Sequence, residues 1–128
     1  MRVPRLEVDT GSLAEYRCLR FRGAMVLMTL PETHDALVAA LADRPRALVL
    51  DLREVTDVDP AAMGLLLRAR DRLRQEGGEL LLLVGSRADR PLGPAVMLQV
   101  AGLDHVLRLF TDDESLLRDY APALSSAG

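Results

Sequence analysis

The sequence predicts an α/β fold, with a mixed central β-sheet packed by about four α-helices. Three observations carry that reading. Short, almost wholly apolar runs such as "RALVLDL" (46–52) and "ELLLLVG" (79–85) suit strands covered on both faces. Segments between and after them place apolar residues at helical spacing. The order is strands first and then alternating helix and strand, which argues for a mixed sheet with helices packed on it. The 128 residues, 49% hydrophobic, suit one domain, 1–128, with one core.

After a short N-terminal segment, "LAEYRCLRFRG" (13–23) and "AMVLMTL" (24–30) read as neighbouring strands around Gly23. "PETHDALVAALADRP" reads as a helix, with Pro31 at its start, Leu37, Val38 and Leu41 on one side, and Pro45 beyond its end. The strand "RALVLDL" leads through a loop rich in Thr and Asp to a helix beginning near Pro60. Met63, Leu66, Ala69 and Leu73 are its expected inward stripe, and Gly77 and Gly78 stop it. After "ELLLLVG" comes the Pro/Gly-rich loop "RADRPLGP", then a short helix "AVMLQVAGL" ended by Gly102. "HVLRLF" is the expected last strand. Thr111 with Glu114 three residues later gives the capping-box pattern of a closing helix, and "SSAG" is read as a frayed tail.

Composition narrows the function. The net charge is −3 and aromatic residues make up 3%, which offers neither the basic footprint nor the stacking platforms of a nucleic-acid binder. All 16 basic residues are arginine. Arg68, Arg70, Arg72 and Arg74 point in different directions on a helix and read as a solvated surface. No apolar run approaches the roughly 20 residues of a membrane span, and the N-terminus lacks a signal-peptide core. A cytoplasmic location is expected, with no direct membrane insertion.

The single Cys18 excludes an internal disulfide and a multi-cysteine metal site. It lies in a strand-like segment and reads as core packing, since neither His34 nor His105 is placed to activate a thiol. Asp51, Glu54, Asp57 and Asp59 cluster in sequence, as Mg²⁺-dependent phosphoryl chemistry would require. No histidine, lysine or Gly-rich phosphate loop accompanies them, so they read as solvated loop carboxylates. No enzyme activity, catalytic residue, metal or cofactor is expected.

At the mouth of the central helix stands "DVDPAAMG" (57–64). Asp59 at the N-cap can accept from the N–H of Ala61 or Ala62 and meets the positive end of the helix dipole. Pro60 suits the first helical position, where a missing N–H costs nothing. Taken alone, this is a well-capped helix start.

Residues 47–69, "ALVLDLREVTDVDPAAMGLLLRA", resemble the central segment of STAS domains, the module of sulfate transporters and bacterial anti-sigma factor antagonists. Asp51-Leu52, Val55-Thr56, Asp59 and Gly64 match that pattern, with Met63 in the usual leucine place. "FRGAMVLMTLPETHDAL" matches at Gly23, Thr29, Pro31 and Leu37, and "ELLLLVG" and "AGLDHVLRLFTDDESLL" resemble later segments. The resemblance spans roughly residues 13 to 120, and only "SRADRPLGP" is longer than the family norm.

The resemblance implies a STAS fold and binding to an anti-sigma factor that is also a serine-kinase-like protein. In such antagonists the first serine after the aspartate is phosphorylated, and phosphorylation ends binding. Here Pro60 and Ala61 occupy the two serine positions, so neither accepts phosphate. The acidic residues near the switch are replaced by Ala24 and Val26. The expectation is a partner-binding module without the standard phosphoswitch, its face comprising Asp59, Pro60, Ala61, Met63, Gly64, Leu65, Arg68, Ala24 and Val26.

Ala61, Leu65, Arg68 and Arg72 form a helical stripe with an apolar centre and a charged rim, suited to docking. Leu65 as a flank of the core face is the competing reading. Thr56 is a candidate phosphorylation site, against the more common role of a Thr that satisfies its own turn; Thr29 is the other hydroxyl near the face. Two other roles stay open: an accessory subunit of a membrane transporter, and a homodimerising adaptor.

Overall fold

A computed structural model describes residues 3–125, with side chains through Tyr120. Strand β1 (Leu6–Leu13) and strand β2 (Tyr16–Met25) form an antiparallel hairpin, followed by a 3-10 turn at Leu27–Thr29 and helix α1 (Leu30–Leu41). Strand β3 (Ala47–Val58) runs into helix α2 (Pro60–Gln75), then strand β4 (Glu79–Leu83) and helix α3 (Pro94–Val100). A second 3-10 turn, strand β5 (Arg108–Phe110) and helix α4 (Asp113–Ser125) complete the described chain. The sheet order is β1-β2-β3-β4-β5, and every pair after the first is parallel.

The apolar runs are strands because each feeds both faces of this sheet. Leu48, Leu50, Leu80 and Leu82 pack with Leu37, Leu41, Leu66, Leu73 and Leu98 beneath α1, α2 and α3. Their neighbours Val49, Leu81 and Leu83 pack on the other face with Phe110, Leu116 and Tyr120 of β5 and α4. The period of two thus divides the run "ELLLL" between two helix layers.

Several expectations change. β1 is a strand where only a segment was expected. It is an edge strand whose residues are mostly exposed, so it carries no apolar run to announce it. The expected break between two strands at Gly23 is instead a bend within β2. Gly23 has φ +111°, and a Cβ there would stand 2.2 Å from the Arg5 carbonyl oxygen. That carbonyl accepts the Ala24 N–H at 2.8 Å; only glycine leaves room for it. Of "AMVLMTL", just Ala24 and Met25 belong to a strand.

The loop expected after Leu52 is also strand, because β3 continues to Val58. The buried residues of α2 are Ala62, Leu65, Leu66, Ala69 and Leu73, with Met63 only partly covered. The last helix is capped one residue later than expected. Asp112 Oδ1 accepts the Ser115 N–H at 2.8 Å and Ser115 Oγ accepts the Asp112 N–H at 3.4 Å, so the reciprocal pair is Asp112 and Ser115 rather than Thr111 and Glu114.

Candidate functional site at the start of helix α2

Asp59 is the N-cap of α2, as its place before Pro60 implies, and its Oδ1 accepts the Ala62 N–H at 3.0 Å. Its second oxygen has a role the sequence did not announce. Oδ2 accepts the Leu27 N–H at 2.8 Å, and the Asp59 N–H donates to the Met25 carbonyl at 3.3 Å. One carboxylate therefore fixes the turn after β2 against the first turn of α2.

Thr29 completes this junction from inside. Its hydroxyl donates to the Ala24 carbonyl at 2.6 Å and accepts the Val26 N–H at 3.0 Å, and the residue is buried. It is a structural hydroxyl. Thr56 is exposed, its hydroxyl donating to Asp57 Oδ2 at 3.1 Å. Of the two candidate hydroxyls, Thr56 alone is open to solvent.

The consequence of the junction is an apolar prominence. Leu27 and Met28 are 65% and 66% exposed beside the exposed Pro60. Ala24, Val26, Ala61 and Gly64 are partly exposed near them, and Arg68 is exposed a turn further along α2. The sequence reading missed Leu27 and Met28, since "AMVLMTL" reads as a strand. A signal was present: Val26, Leu27 and Met28 directly precede Thr29 and Pro31, a helix-start pair that cannot continue a strand.

Leu65 does not lie on this surface. It is 8% exposed and belongs to the core. His34, Val38 and Arg68 surround it in a shallow recess between α1 and α2. The stripe Ala61, Leu65, Arg68, Arg72 therefore has a buried centre, and the flank-of-core reading of Leu65 is the correct one.

On the other side of Pro60 an open groove of about 830 Å³ runs between β3, α2 and α3. Thr56, Asp57 and Val58 form one wall, and Pro60 and Met63 a second. Met97 and Val100 stand opposite, with Leu92 of the long loop before α3 at the rim. Leu92 and Val100 are 81% and 82% exposed. Met97 reaches across so that its sulfur accepts the Val58 N–H at 3.3 Å.

The acidic residues that cluster in sequence are separated in space. Asp51 is buried on the α4 face, held by Arg53 at 2.8 Å and by Arg20 at 3.4 Å. Burial alone would raise its pKa, but the hydrogen bonds and charge of Arg53, with Arg20, outweigh that and hold it below the ordinary carboxylate range. Arg53 also lies 3.1 Å from Asp113 at the start of α4, and its carbonyl accepts from Arg90 of the long loop at 2.5 Å. Its bond to Asp51 pushes its own pKa upward. Glu54 sits 3.8 Å from Arg22. Among the described residues no group of three or more His, Cys, Asp or Glu is placed to hold a metal. Cys18 is buried among Tyr16, Val49 and Tyr120, and burial pushes its thiol pKa up.

This sheet order, with a helix launched from the central strand by a capping aspartate, coincides with a known family. The STAS domain model matches residues 6–115, and the chain belongs to that family. The match begins at β1, upstream of the expected start near residue 13. The chain is similar in fold to a crystal structure of an anti-sigma factor antagonist from Mycobacterium paratuberculosis, at 21% identity and TM-score 0.77, covering 90% of this chain and 93% of that one. It also resembles the anti-sigma factor antagonist SpoIIAA in its unphosphorylated form, at 18% identity and TM-score 0.64, covering 91% and 97%. The phosphorylated form of SpoIIAA, described as a Bacillus cell fate determinant, superposes with TM-score 0.58 at 17% identity, covering 89% and 98%. Among the described residues no helix is long and apolar enough to cross a membrane.

Proposed function

We propose that this STAS domain is a non-catalytic, cytoplasmic binding module for an anti-sigma-factor or serine-kinase-like partner, and that phosphorylation at position 60 does not switch it. The carrying observation is the Leu27–Met28 prominence, held beside Pro60 by the two bonds of Asp59. Exposed apolar side chains on a braced turn suit a small, preorganised docking face. Pro60 keeps the helix start intact and removes the hydroxyl that a kinase would need. Ala24 and Val26 remove the flanking charge, leaving an apolar surface where the family resemblance implies an acidic one.

Affinity purification from the native host with mass spectrometry tests this. The wild-type chain is expected to recover a kinase-like ATPase, and the Leu27→Asp/Met28→Asp double variant to lose it while remaining folded. Recovery of that ATPase by both proteins would refute the face. Transporter subunits recovered instead would favour the accessory-subunit role, and a concentration-dependent mass in light scattering would favour the homodimer. Intact-mass analysis of the same material tests Thr56, where a phosphate would restore a switch four residues upstream.

A further inference from the structure

The groove between β3, α2 and α3 adjoins the docking face and shares Pro60 with it. We infer that it is a binding site for a single-chain apolar ligand with a cationic, hydrogen-bond-donating head, the head resting on Asp57. Its volume of about 830 Å³ falls within the few hundred to roughly a thousand Å³ of small-molecule sites. Its polarity is one-sided. The walls from α2 and α3 are apolar, and Thr56 and Asp57 on β3 supply the polar side chains.

Those two residues define the head. Asp57 Oδ2 accepts from the Thr56 hydroxyl, so Oδ1 is left for a ligand, and a carboxylate can only accept. An ammonium or guanidinium group satisfies it, and a second carboxylate is repelled. Met63 and Met97 both line the groove; the Met97 sulfur is held by the Val58 N–H, and the unbranched thioether of Met63 adapts to a flexible chain. A chain lying there would also cover Leu92 and Val100. The same charge argues against a second copy of this protein, since a twofold contact across the groove would bring two Asp57 carboxylates together.

The chain carries five methionines, three of which make it self-reporting. Met63 and Met97 line the groove, and Met25 is fully buried in the core. A fourth, Met28, sits on the docking face. Methyl NMR on the methionine-labelled full-length chain would be recorded during titration with decylammonium or decanoate, each below its micelle concentration. Decylammonium is expected to shift Met63 and Met97 saturably and leave Met25 and Met28 in place. Decanoate should bind roughly five- to tenfold more weakly, as an ion pair and a like-charge contact of this exposure imply. Asp57→Asn, at an exposed position, should abolish the preference while the chain still binds. Equal binding of the two heads by the wild-type protein, a preference that survives Asp57→Asn, or shifts centred on Met28 or Met25 would each overturn the inference. So would the absence of any saturable shift, which would leave the groove to side chains of a protein partner. The measurement uses no partner, so it fails or succeeds apart from the docking face.

Discussion

Replacing Asp59 with alanine removes two bonds at once, and the two can be separated. Loss of an N-cap side chain costs about 1 kcal/mol, within a range of roughly 0.5–2. Loss of the exposed, charge-assisted bond to the Leu27 N–H adds about 1 kcal/mol. Unfolding entropy of about 2.1 cal/mol/K per residue, over 128 residues, gives about 0.27 kcal/mol/K. A loss of about 2 kcal/mol therefore lowers Tm by about 7 °C. Asp59→Asn should fall between, at about 3–4 °C, because an amide keeps one accepting oxygen for the cap and presents an N–H₂ group that cannot accept from Leu27.

Thermal unfolding by circular dichroism reads the order wild type, Asn, Ala. Amide hydrogen exchange locates the cause: Leu27 should exchange faster in both variants, and Ala62 only in the alanine variant. If the asparagine variant melts within about 1 °C of wild type, or if Leu27 exchange is unchanged, Asp59 is a simple cap and the brace on the docking turn does not exist.

Leu65→Asp puts a charge into the core, so it should cost about 3 kcal/mol or more and show as a collapsed urea midpoint rather than as selective loss of a partner. Cys18 should resist Ellman's reagent in the folded protein at pH 8 and react fully in guanidinium, since burial both shields the thiol and disfavours its thiolate. Asp51 has a depressed folded pKa, so its contribution is present above the unfolded carboxylate value near 4 and is lost as pH falls through the folded value. Asp51→Asn should accordingly lower stability at pH 7 by about 2 kcal/mol, discounted for the partial exposure of Arg53. Its acid denaturation should be flatter than wild type below about pH 4.

The sequence exposed those parts of the fold whose residues face two helix layers. "RALVLDL" and "ELLLLVG" could be little else but central strands, and Asp59 with Pro60 could be little else but a helix start. It hid parts whose residues face water on one side or whose geometry is irregular. β1 is legible only through its pairing with β2, Leu13 opposite Tyr16 and Leu6 opposite Gly23. For the last helix the Thr111 and Glu114 pattern lay one residue off, and the actual cap, Asp112 with Ser115, is fixed by side-chain geometry. Leu65 was ambiguous because a helix packed on a sheet and on a neighbouring helix buries a wider arc than a single stripe. Leu27 and Met28 were hidden by their own hydrophobicity, which in sequence resembles a strand.

The register of β3 against β2 gives a last consequence. Gly23 pairs with Val55 while Ala24 pairs with Asp57, so Thr56 is an extra residue on the β3 side. In a regular strand, consecutive side chains would point to opposite faces. The bulge lets Thr56, Asp57 and Val58 all contribute to one wall of the groove. The chemistry of that wall is therefore set by chain length as much as by residue type. Deleting Thr56 would straighten the strand and turn Asp57 out of step, even with every other side chain unchanged.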